Sequence, residues 1–534
     1  ELWGSWAPGQ GQGMEGVLDL RESRLTSDAE ELEVEHINAR FEWRMQGRKT
    51  WRLDFSDFQI HEGGRSWATD RLSIERNIPA NLGLWISADA LHVSFPLEIT
   101  QRIMAVYETP WPKNIPRRAS GSISSLDLVL DRRWKLHLLR GSFDRLEAWA
   151  WDRWPDVAGL QGTVDLSEGE GAVRLSGAGV DIHWPRNFQR KLIADIPECT
   201  LNVQWGSAWQ VFGRACRLEN ELLALSGDLR FIQSEGKPAV DINVLVNRAS
   251  IGLLDAYWPR SLIKPNVADW LANGLVDGQA DGRFMLRGDM DDWPFSDGSG
   301  QLEARVKFSD LDLEYYPGWP TAGQISGSAH FLGTSMEVEA SVGNMAGAPV
   351  SEVRGRIPDF RNAHIDIDYR SPIMLPELVG FIDASPLLSN SELDLKQFKV
   401  DGVSEIQGRL LIPLKSGASE LEVSGQLSLS SNSFEEKLTG FQLHDIRGTL
   451  EFDRDGLNAS LLEGRYGTSK TRLSVSADWS GPPRFESEVQ GEIPLAELIP
   501  ESIRLGEPLL DFLSGKTPVK ATFTVTPEIG RAHV

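Results

Sequence analysis

The chain has 534 residues and a net charge of −23, from 77 Asp and Glu against 54 Lys and Arg. That acidity excludes a nucleic-acid-binding surface, whose phosphate partners need basic residues, and adhesion to anionic lipid headgroups by charge alone. Two cysteines exclude a disulfide scaffold and every Cys-rich zinc module, and 41% apolar residues exclude disorder.

From residues 51–55 onward the dominant pattern has period two. Successive side chains of a strand point to opposite faces, so each such segment carries one apolar and one polar face. This is the pattern of an antiparallel sheet with one wet side. Twelve of the 19 Trp lie before residue 190, with Trp149, Trp151 and Trp154 the densest cluster, and most fall on the apolar phase. Residues 199–205 and 209–216 read as a hairpin around Gly206-Ser207-Ala208. Pairing Val203 with Val211 and Trp205 with Trp209 sets Cys199 opposite Ala215 and turns Cys216 to the other face, which predicts no intramolecular disulfide.

A helical pattern runs from about 250 to 273, with Leu253, Leu254, Trp258 and Trp270 spaced to pack one side against the sheet. Alternation resumes at 302–308, 336–342 and 365–369, followed by a second helical pattern near 375–382. Asp401-Gly402 and Asp455-Gly456 read as hairpin turns between further strands at 421–424 and 473–479. A third helical pattern covers 495–513. Leu254, Leu378 and Leu498 align with spacings of about 120 residues, and Leu-x-Gly-x-Leu hairpins recur in step. The expected division is a β-rich region over 1–248, repeats over 249–371 and 372–493, and the start of a third over 494–527. The expected fold is mainly β: an elongated, curved antiparallel groove with a few short amphipathic helices. Residues 528–534 match the in-frame translation of a sequencing adapter, so the natural chain is expected to continue beyond Pro527.

No catalytic constellation stands out. Gly515-Lys516-Thr517 resembles the end of a phosphate loop, but Leu510 stands where a glycine is required. The histidines are scattered singly, and Asp289 to Asp292 and Asp453 to Asp455 read as turns rather than calcium ligands. No enzyme activity, cofactor or metal is expected. No run of 18 uncharged apolar residues occurs, so no transmembrane helix is expected within this sequence.

Ala256-Tyr257-Trp258-Pro259, Ala268-Asp269-Trp270-Leu271, Gly278-Gln279-Ala280-Asp281-Gly282 and Asp292-Trp293-Pro294-Phe295 resemble the YhdP branch of the AsmA-like proteins, bacterial bridge-like lipid transport proteins. The resemblance implies a periplasmic protein anchored in the inner membrane by an N-terminal helix lying outside this fragment, with a β groove that carries phospholipid toward the outer membrane. Its expected partners are lipid acyl chains and, through segments missing here, the membrane. Each methylene kept out of water saves about 0.8 kcal/mol, roughly 12 kcal/mol for a sixteen-carbon tail, so a continuous apolar trough needs no catalyst. Leu302, Val306, Phe308, Leu427, Leu429, Leu473 and Val475 are the expected lining. The competing expectation is an acidic, Trp-rich β-repeat protein that binds polysaccharide or acts as a surface adhesin, with its aromatic rings on the polar phase.

Overall fold

The computed structural model describes residues 2–7, 11–26, 31–45, 49–62, 65–77, 82–94, 97–98, 101, 116–133, 135–149, 155–233, 238–257, 265–295, 297–360, 364–386, 395–413, 421–437, 440–478, 480, 484–498 and 514–525. Among the described residues the fold is mainly β, with 29 strands paired antiparallel. The chain divides into two compact units. The first comprises Glu1–Ala249, Leu253–Ile263 and Arg283–Leu302, and the second Ser250–Gly252, Lys264–Gly282 and Glu303–Val534.

Within each unit most of the described strands pair with their neighbours in chain order, because short turns join the end of one to the start of the next. The short strands Ala348–Val350 and Phe398–Asp401 are passed over by Ser335–Met345 pairing with Glu352–Ile357 and His364–Met374 pairing with Val403–Pro413. In the first unit Phe58, Ile60, Leu72, Ala88 and Leu126 form a buried cluster. In the second, Leu443, Ile446, Leu462, Leu473 and Val489 form another, and Ile373, Leu375 and Leu427 a third.

The alternation is interrupted at several points. Asp57, Ser125, Asp310, Gln324 and Asp445 adopt φ between 50° and 54°, and each is followed by a buried apolar residue: Phe58, Leu126, Leu311, Ile325 and Ile446. Each is a β-bulge. The extra residue turns its successor back to the apolar face, bends the strand and increases its twist.

One such bulge corrects the expectation for the cysteines. The hairpin has the predicted register, with Val203 opposite Val211 and Trp205 opposite Trp209. Ala215, however, adopts φ 50°, and the pairing of its strand slips between Gly213 and Cys216. Cys216 therefore returns to the face of Gly213 and meets Cys199 in a disulfide, with Cα atoms 4.0 Å apart.

Helical elements are short. The single helix expected over 250–273 is instead a 3-10 turn, Ile251–Tyr257, and a separate α-helix, Pro265–Gly274. Pro265 opens the second element because proline, lacking an N–H, is tolerated at a helix start and not in its interior. The second predicted helix is Leu375–Ala384. The third reduces to a 3-10 turn, Leu495–Leu498, and residues 499–513 lie outside the described residues, as do Trp151, Trp154 and 528–534. These three elements begin at Ile251, Leu375 and Leu495, with spacings of 124 and 120 residues (375 − 251 and 495 − 375).

Asp455-Gly456 makes the expected hairpin, with Asp453 accepting the N–H groups of Asp455 and Gly456. Asp401-Gly402 does not. The chain runs straight on from Phe398–Asp401 into Val403–Pro413, both paired with the same neighbour. Gly402 adopts φ +106° there, and a Cβ would lie 2.7 Å from the Asn432 amide, which donates to Asp401 O and Val403 O. Glycine is required by that approach.

Candidate functional site

The strand His364–Met374 defines the two faces. Ile365, Ile367, Tyr369, Ser371 and Ile373 point to one side, while Asp366, Asp368 and Arg370 point to the other. Cross-strand pairing extends each face through the unit.

On the apolar side of the second unit, one register row can be followed without a break. Phe308 is opposite Gly327, which is opposite Ala340, then Val353 and Tyr369. Tyr369 faces Gly408, which faces Gly425 and then Phe452. The row continues through Leu457, Ala477 and Phe485. These eleven positions include no charged residue, and every one is half-buried. Burial pushes the Tyr369 hydroxyl up to about 12, since the charged form loses hydration beside apolar neighbours.

The first unit carries a row of the same kind. Trp43, Leu53, Ile74, Ile86 and Leu128 are successive cross-strand partners. Leu139, Leu166, Gly171, Val203, Val211 and Phe231 follow in order. Again all are apolar and half-buried.

The glycines of the apolar-x-Gly-x-apolar segments fall on this apolar side, and aromatic rings lie over several of them. A Cβ on Gly327 would lie 2.9 Å from Phe308 Cζ, one on Gly408 2.8 Å from Tyr369 Cζ, and one on Gly425 2.6 Å from Phe452 Cζ. In the first unit Phe143 covers its cross-strand partner Gly162 in the same way, at 2.8 Å. Such rings lie flat across the neighbouring strand instead of standing away from the sheet.

The opposite side is held by cross-strand ion pairs. Arg354 lies 3.5 Å from Glu339, Arg370 2.6 Å from Glu405, and Lys520 2.9 Å from Glu488. Arg409 pairs with Asp366, and its hydrogen bonds hold the Asp366 carboxyl below the usual range. Opposite charges facing across strands reinforce the register that keeps the apolar residues on one side.

The seven residues expected to line a trough all fall on apolar faces, but not in equal depth. Leu302, Val306 and Phe308 are half-buried and share one side of the strand Gln301–Leu313. Leu429 and Val475 are half-buried, whereas Leu427 is 9% and Leu473 5% exposed. Leu473 is enclosed by Leu462, Val489 and Leu443, and Leu427 by Ile373 and the helix residues Leu375, Leu378 and Phe381. Of the four helix residues, Leu253 is 42% exposed and Trp270 is half-buried. The Leu254 side chain and Trp258 lie outside the described residues. Ile251, two residues before Leu253, supplies the buried contact with Leu311, Ala322 and Ile325.

Among the described residues no group of three or more His, Cys, Asp or Glu is placed to hold a metal. No described helix is long and apolar enough to cross a membrane.

In comparisons with known proteins, the family described as YhdP protein matches residues 1–531. The chain is 22% identical over 446 residues to the intermembrane phospholipid transporter YhdP of Escherichia coli (strain K12), covering 78% of this chain and 34% of that protein. The chain thus spans about a third of the length of this relative. No solved structure matches.

Proposed function

Because the chain belongs to the YhdP family, we propose that it is a segment of an intermembrane phospholipid conduit, in which the apolar face of the sheet shelters acyl chains from water. The single observation that carries this reading is the half-buried, uncharged row of the second unit, from Phe308 to Phe485. A packed core would bury such residues, and an ordinary wet face would carry polar ones. An acyl chain laid on the row completes its burial, at roughly 0.8 kcal/mol for each methylene removed from water.

Transport on this reading is passive, the side chains supplying an environment and no chemistry. The Cys199–Cys216 disulfide supports an oxidising compartment such as the periplasm. Leu302, Val306, Phe308, Leu429 and Val475, half-buried on their apolar faces, are the expected lining positions open to lipid. Leu427 and Leu473, on the same face, are covered by neighbouring side chains and flank that lining. A polysaccharide-binding surface would set rings on the charged side, and the rings of Trp43, Phe231 and Phe452 sit on the apolar side instead.

The test is transfer of a fluorescent phosphatidylethanolamine from donor to acceptor vesicles by the chain. Acceleration over vesicles alone supports the reading. Binding of oligosaccharide with no lipid transfer would replace it with the adhesin alternative.

A further inference from the structure

We propose, building on the lipid reading above, that the acyl chain follows one register row of the second unit rather than spreading over the apolar face at large. The row that contains Phe452 is the path.

Three observations single it out. First, the row crosses successive strands without a charged residue, and its members are half-buried throughout. Positions to one side in the second unit are closed: Leu427 and Leu473 are covered by side chains and, at Leu427, by the helix Leu375–Ala384. Secondly, the row has low relief. Gly327, Gly408 and Gly425 carry no side chain, and the rings of Phe308, Tyr369 and Phe452 fold down over them. Ala340 and Ala477 add only a methyl group each. Between Val353 and Leu457 a chain of methylenes can therefore cross Tyr369, Gly408, Gly425 and Phe452 without meeting a branched side chain. Thirdly, same-face neighbours along a strand are about 7 Å apart, so a single row is wide enough for one hydrocarbon chain and too narrow for a fused-ring lipid lying flat. The row thus assigns a substrate class: unbranched acyl chains, one to a row.

The sequence explains why these positions stay open. An ordinary sheet fills its apolar face with Val, Ile and Leu, whose branched side chains stand up and interlock. Placing glycine opposite a ring removes that relief, and the ring supplies cover for the glycine backbone.

The experiment places the photo-crosslinker benzoylphenylalanine in the whole chain at Phe308, Phe452 or Phe485 on the row. The controls are Phe434 and Phe441 on the same face away from the row, and Glu451 on the charged face. Each protein is irradiated with vesicles of phosphatidylethanolamine and phosphatidylglycerol, and lipid adducts are measured by mass spectrometry. Replacing Phe with a larger aromatic at half-exposed sites preserves the fold, and a melting curve on each variant checks this. Labelling at the row positions at least fivefold above Phe434 and Phe441 is the expected result. Equal labelling across the apolar face, or labelling at Phe434 and Phe441 alone, overturns the row while leaving a lipid-binding face. Labelling nowhere, or equally at Glu451, overturns both. In a second arm, Ala340→Trp and Ala477→Trp raise the relief of the row and should slow vesicle-to-vesicle transfer tenfold or more. Unchanged transfer by both folded variants would contradict the path.

Discussion

Thr471 is 3% exposed on the apolar side, and its hydroxyl has no hydrogen-bond partner among the described residues. A buried unsatisfied hydroxyl costs about 1–3 kcal/mol, so Thr471→Val, which keeps the shape and removes the polar atom, should stabilise the chain by roughly 1 kcal/mol in urea unfolding. Its partner in scale is the disulfide. Cys199 and Cys216 are 17 residues apart, a loop whose closure contributes about 3 kcal/mol on the chain-entropy account, so Cys199→Ser should lower stability by about that much. A loss under 0.5 kcal/mol would mean that the paired strands are constrained without it. On the charged face, Asp366 is held below its ordinary value by hydrogen bonds from Arg409. A depressed carboxyl contributes stability above its unfolded value, near 3.9, and loses it as pH falls through the lower folded value. Asp366→Asn should therefore flatten the acid limb below about pH 4, by no more than ~1 kcal/mol because the pair is exposed. The cysteine pairing shows what sequence reading misses at this scale. The register was legible from Val203, Val211 and the two tryptophans. The bulge at Ala215 was not, because alanine carries no preference for positive φ that would announce it.

Strands were legible because alternation is a physical requirement of one wet and one dry face: 302–308 and 365–369 are strands as read, and so is the described part, 473–478, of the strand read over 473–479. Short helices were less so. Apolar spacing alone ran 250–273 together, where two prolines break it; the 375–382 pattern, with its one proline near the start, is a helix. Bulges did leave a trace: two polar residues in succession where one was due, as in Ser309-Asp310 before Leu311 and Ser124-Ser125 before Leu126. Depth within the apolar face was not legible, since Leu473 and Val475 occupy the same phase of one strand. The structure separates them. Leu473→Asp places a charge among Leu462, Val489 and Leu443 and should cost at least about 4 kcal/mol, enough to prevent folding in a marginal chain. Val475→Asp, at a half-buried position, should fold with a loss of roughly 1–2 kcal/mol and carry less lipid, and Ser474→Asp on the other phase should do neither. Circular dichroism melting beside lipid transfer separates the three. Equal behaviour of Leu473→Asp and Val475→Asp would remove the distinction between support and lining.

At the scale of the molecule, the recurrence of a helical element every 120 or so residues was readable from aligned leucines, and the elements at Ile251, Leu375 and Leu495 keep that spacing. What composition could not convey is which side of each strand remains open, because Gly, Ala and aromatic residues are ordinary in any β-rich chain. Their meaning comes from register, which sets Gly408 between Tyr369 and Gly425, and Phe452 beside Gly425. The central claim is that this open apolar face holds phospholipid. Native mass spectrometry of the chain incubated with phosphatidylethanolamine and phosphatidylglycerol vesicles, then separated from them, tests it most directly. The account predicts bound intact phospholipid on the unmodified protein and its loss from Ala477→Asp, which puts a charge on the row while leaving the buried clusters untouched. Protein free of lipid after incubation, or equal lipid on the Ala477→Asp variant, would contradict it.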